Sequence, residues 1–267
     1  MAADFWLCAD FWLGVTQTTI GSAVGFVFGI FAFHHQQRRQ AAKKEKDDWL
    51  AALDALNRLS TAAGANIEAL ANSKLQLIND LRPEVEKIKA ATEEAYKTPG
   101  PERVKKIPEL LALSESTLHF FMSLTETSVM DPPEFGEYSS LSKDMPALTM
   151  FVHRAMGMMK EQNEQIRSRN ALIAQHAHEN GTGNGMTTER VLYYSTMLSG
   201  QGEAICEMTD FALDFWRLVL DQIKAYKTAK AEGEHILEYE LVPKAVEAMP
   251  KEELFPLMRE QLATFPG

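Results

Sequence analysis

The groupings with the residue types for chemistry lie in the second half of the chain. Asn180-Gly181-Thr182-Gly183-Asn184-Gly185 is a glycine-rich loop that opens a helix, an arrangement that cradles phosphates in other settings. It lacks the Lys-Ser/Thr of a P-loop and follows a helix, not a strand, so it reads as the turn of a helical hairpin. His176, His178 and Glu179 stand at its edge. A spacing of two on a helix splays the imidazoles apart, and the trio reads as a solvated helix end. Adjacent His34 and His35 point in different directions for the same reason.

A carboxylate-bridged di-metal bundle needs two Glu-x-x-His pairs, and only Glu232-x-x-His235 has that spacing. Glu203, Glu207, Asp210 and Asp214 make an acidic stripe at steps of four, three and four. It reads as a solvated face, or as the partner of Arg154, Lys160 and Arg167 on the preceding helix. Cys206 lies beside an apolar seam and reads as a buried structural thiol. No catalytic residue, cofactor or metal is assigned, and the chain reads as a non-enzyme. Methionines are dense around the hairpin. Most fill the core, and Met156, Met159, Met197 and Met208 mark the place to look for a groove that receives a partner helix.

Helices must position these groups. Trp49, Leu53, Leu56, Ser60, Ala63, Ile67, Leu70, Lys74, Leu77, Leu81, Glu84, Ile88, Ala91 and Ala95 recur at alternating steps of four and three, a coiled-coil-like seam over about 49–96. Pro83 allows a boundary near Asp80 to Arg82. Further helices are expected over about 108–128, 145–177 and 187–230, with short ones in 235–265. The segment from Met130 to Pro146 reads as a surface connection. The fold class is therefore all-α, with an elongated antiparallel bundle over 49–267.

From Phe11 to Phe33 there is no charged residue, and such a helix spans about 35 Å, the length of a membrane crossing. The expectation is one transmembrane helix within residues 1–33, a retained signal anchor with Trp6 and Trp12 at the outer interface. Residues 34–48 form a basic juxtamembrane segment. In it Arg38, Arg39, Lys43, Lys44 and Lys46 face three carboxylates, for a net +2, and they serve as topology determinants and lipid contacts. The positive-inside rule then puts the N-terminus outside and the C-terminal domain in the cytoplasm, which in a bacterium means the inner membrane. Two cysteines separated by most of the chain, Cys8 and Cys206, exclude a disulfide framework. Gly14, Thr18, Gly21, Gly25 and Gly29 share one helix face and predict close packing with the same helix of another copy, or with another membrane protein.

The formal net charge of the whole chain is -10. Residues 49–267 alone carry that value, which repels phosphate backbones and argues against a nucleic-acid partner. The expected function is a membrane-anchored, non-enzymatic subunit or scaffold of a membrane-associated complex, with membrane lipid and a protein bound by the bundle as partners. The alternative is a sensor-effector whose bundle detects a ligand or protein and whose membrane helices permeabilise the bilayer.

Overall fold

The computed structural model describes the backbone of residues 2–182, 186–230, 233, 235–251 and 254–256, with side chains from Phe26 onward except that of residue 27. Its regular elements are all helical, with no strand among the described residues. Two compact units are distinguished, Met1–Ala52 and Leu53–Gly267.

Helix α1 runs over Ala2–Ser73 and passes through a single π turn, Lys74–Ile78, into α2, Asn79–Lys97. The π turn closes with the Asn79 N–H donating to the Lys74 carbonyl, five residues back. It precedes Pro83, whose ring would crowd the carbonyl four residues upstream, so the chain widens one turn where a break was allowed for. The widening keeps the seam facing inward. Leu56, Ala63, Ile67, Leu70, Leu81 and Ile88 are all fully buried.

Helix α3 covers Gly100–Ser116, and α4, Phe135–Tyr138, leads into a 3₁₀ turn, Ser139–Leu141. Helices α5, Leu148–Gly181, and α6, Thr188–Lys230, form an antiparallel hairpin. Their cross-contacts run in opposite directions along the two chains: the Arg190 Nε–H donates to Glu179, Gln201 donates to Ser168, Gln162 to Thr209, and the Trp216 indole N–H to the Met159 sulfur. Against this hairpin α2 packs so closely that a Cβ on Gly202 would meet Val85 Cγ2 at 2.5 Å. A short α7, Pro243–Ala248, closes the described part of the chain.

Two expectations are corrected. The helix expected over about 108–128 ends at Ser116, and residues 117–134 contain no helix. Phe120, Leu124 and Thr127 are buried and Leu118 is exposed, and the backbone of the segment is held by side chains of other helices instead of by a helix of its own.

The second correction concerns the membrane. Among the described residues no helix is long and apolar enough to cross one. A span needs about 20 consecutive apolar residues. On α1, Phe26, Phe28, Ile30, Phe31 and Phe33 are followed by His34, His35 and the charged residues after them, while the side chains at Gly14, Thr18, Gly21 and Gly25 lie outside the described residues. The transmembrane helix, the single-pass anchor and the inside-outside orientation are thereby overturned. Gly29 is described, and a Cβ there would meet nothing within 4 Å.

Candidate functional site: an acidic cleft between two clamped segments

The non-helical stretch 117–134 is held to the bundle by a regular device. Three asparagine side chains each pair with both backbone groups of one residue, at intervals of three. Leu124 N–H donates to Asn170 Oδ1 at 2.9 Å, and Asn170 Nδ2 donates to the Leu124 carbonyl at 2.8 Å. Asn163 treats Thr127 in the same way at 2.8 and 2.9 Å. Asn66 treats Met130 at 2.7 and 2.9 Å. An amide offers one donor and one acceptor edge-on, so it substitutes for the neighbouring strand that an extended chain otherwise needs. Upstream, fully buried Arg169 donates to the carbonyls of Met122, at 2.7 Å, His119 and Phe120. Burial pushes its guanidinium down to about 10, so it stays charged at neutral pH.

A second segment lies along α1. Asn57 brackets residues 235–237, donating to the His235 carbonyl at 3.0 Å and accepting from Leu237 N–H at 2.7 Å. Ser60 Oγ donates to the Leu237 carbonyl. The ring of Tyr239 then covers Gly64, where a Cβ would come within 2.4 Å of it, and its hydroxyl donates to Glu68. Only glycine allows that approach.

The carboxylate acceptor, together with burial, raises the Tyr239 phenol to about 12, against an ordinary 10.0. The protonated form is the one the fold favours. This contribution to stability is complete below about pH 10 and is lost as pH rises toward 12. Chemical denaturation at successive pH values should show that decline in the wild type and a smaller one in Tyr239→Phe; parallel curves would contradict the bond.

Between the two clamped segments opens a cleft of about 600 Å³. One wall is α1, with Asp54, Asn57, Arg58 and Thr61; Met130 to Glu134 and Glu137 form the second, and His235 and Leu237 the third. Four carboxylates stand against one guanidinium. Arg58 Nη2 contacts Glu137 at 2.6 Å and its Nε contacts Asp54 at 3.3 Å. Glu134 caps α4 through a reciprocal box with Glu137. Asp131 makes no ion pair among the described residues. Met130, Pro132, Pro133 and Leu237 give the cleft apolar surface beside the charges.

The groupings singled out by sequence are placed elsewhere. The acidic stripe of α6 is paired, but with cations of α2 and the π turn: Lys89 reaches Glu203 at 2.6 Å, and Lys74 and Arg82 share Asp210 at 2.5 and 2.7 Å. Asp214 contacts Arg217 on its own helix. The expected partner Arg167 contacts Glu126 and Glu164 instead. Cys206 is buried, and desolvation pushes its thiol up, away from the thiolate a nucleophile requires.

His176 stacks on Phe121 at 4.3 Å and meets Tyr194 edge-on, and burial lowers its pKa. His178 points to solvent, while the carboxylate of Glu179 is taken by Arg190. Glu232 and residues 183–185 of the glycine-rich loop lie outside the described residues. Among the described residues no three His, Cys, Asp or Glu side chains come together as a metal site.

The four methionines do not line one open groove. Met156 and Met159 are core residues, Met208 is half-buried and Met197 is exposed. Sequence reasoning missed the cleft because its walls are made by backbone brackets. The available signal was Asn57, Asn66, Asn163 and Asn170, amides inside helical seams where their own propensity is poor. No family model, curated protein or solved structure matches the chain.

Proposed function

We propose that the chain is a non-enzymatic subunit or scaffold of a protein complex, and that a protein partner docks on the bundle at the acidic cleft. The observation that carries this reading is a preformed cleft with unspent charge. Its walls are fixed by bracketed backbone, while Asp131 makes no ion pair among the described residues. Between α2, the π turn and α6, carboxylates and cations are paired as Lys74–Asp210–Arg82 and Lys89–Glu203, which suits a rigid support better than an acid-base centre. A cleft holding several carboxylates and some apolar surface suits a basic, amphipathic protein segment, whose lysine stems cover Met130 and Leu237 while the ammonium groups meet the acids.

The test uses the full chain. Reciprocal affinity capture should recover a defined protein with the wild type and lose it with Asp54→Lys/Asp131→Lys, whose unfolding midpoint should be unchanged. A captured set that is the same for both proteins would overturn the cleft as the docking site.

A further inference from the structure

The cleft's occupant has a counterpart in the chain itself. Arg38, Arg39, Lys43, Lys44 and Lys46 are all exposed on α1, and none makes an ion pair among the described residues. They belong to the stretch that carries a net positive charge, 34–48, in a chain whose other parts are acidic. We propose that the acidic cleft of one copy receives the basic stretch of α1 from a second copy, so that the protein assembles with itself. This rests on the reading of the cleft as a docking site and names its occupant.

The chemistry on the two sides is matched. The cleft offers Asp54, Asp131, Glu134 and Glu137, of which Asp131 makes no ion pair among the described residues, beside Met130 and Leu237. The basic stretch offers long side chains already ordered on a helix, so less conformational freedom is lost on docking than with an unstructured basic tail. Each exposed pair contributes little alone and is weakened by salt. Several pairs acting together give an association that is measurable at low ionic strength and falls steeply as salt is added.

Sedimentation of the full chain over a concentration series tests the proposal, at low and at high ionic strength. The wild type is expected to self-associate in low salt and to dissociate in high salt. Lys43→Glu/Lys46→Glu, and separately Asp54→Lys/Asp131→Lys, should each weaken association by roughly tenfold or more. Mixing the two variants should restore a mixed species, because the reversed stretch of one then faces the reversed cleft of the other. Circular dichroism of each variant checks that the helices are intact.

A wild type that is monomeric in low salt would overturn the proposal. So would single variants that associate as tightly as the wild type, or a mixture that fails to recover association. If the chain stays monomeric while cleft-dependent capture of another protein persists, self-docking fails and the scaffold reading stands.

Discussion

Arg169→Met is expected to lower the free energy of unfolding by roughly 3 kcal/mol, the cost of leaving buried carbonyl acceptors without their donors. Arg169 is fully buried and donates to three carbonyls of the turn that follows α3. Methionine fills much of the same volume but leaves the carbonyls of His119, Phe120 and Met122 without those donors. Arg169→Lys keeps the charge and loses the planar fork, and it should fall between the two. Urea denaturation followed by circular dichroism measures all three. A loss below about 1 kcal/mol for Arg169→Met would mean that the turn finds other donors.

Asn163→Ala is expected to cost about 2–3 kcal/mol, the desolvation penalty for one buried donor and one buried acceptor left unpaired. The residue it brackets, Thr127, is buried, so water cannot readily take the place of the amide. The penalty should be largely local. Limited proteolysis within residues 120–134 should accelerate more than cutting elsewhere, because the freed segment has no helix of its own to fall back on. Asn163→Asp makes a sharper comparison: a carboxylate still accepts from Thr127 N–H but presents an acceptor to the Thr127 carbonyl, so much of the loss should remain.

The helical seams were legible because a period near 3.6 records which face is buried. Leu148, Val152, Ala155, Met159, Gln162, Ile166, Arg169 and Ile173, spaced by three and four on α5, are all buried, and so on α6 are Val191, Ser195, Leu198, Gly202, Ile205, Thr209, Ala212, Trp216, Val219, Ile223 and Tyr226. The polar members of those repeats carried information that periodicity alone did not use. Gln162, Arg169 and Lys74 are buried because each has a specific partner: Thr209, the 119–122 carbonyls and Asp210 respectively.

Residues 117–128 were misread for a related reason. Leu118, Phe120, Phe121 and Leu124 are apolar enough for a core helix, but Leu118 is exposed, and the backbone groups of Phe120 and Leu124 find their partners in Arg169 and Asn170 of another helix. No local pattern announces a bracket whose two halves lie 36 to 64 residues apart. The apolar stretch before His34 misled differently, since the absence of charge over Phe11 to Phe33 was taken as sufficient for a span, whereas the described part of α1 does not supply one. The cleft itself was out of reach, because Asp54, Asp131 and His235 meet only through tertiary structure.

The central claim is that the cleft is preformed, its walls fixed by side-chain amides clamped on extended backbone. Residue-resolved hydrogen exchange of the full chain tests this most directly. The account predicts that the amides of Leu124, Thr127 and Met130, in a segment without helix, exchange on the order of a hundredfold more slowly than those of Thr125 and Glu126 between them. Exchange at one uniform fast rate across residues 122–134 would show an unclamped loop, and would contradict both the bracket and the preformed cleft it builds.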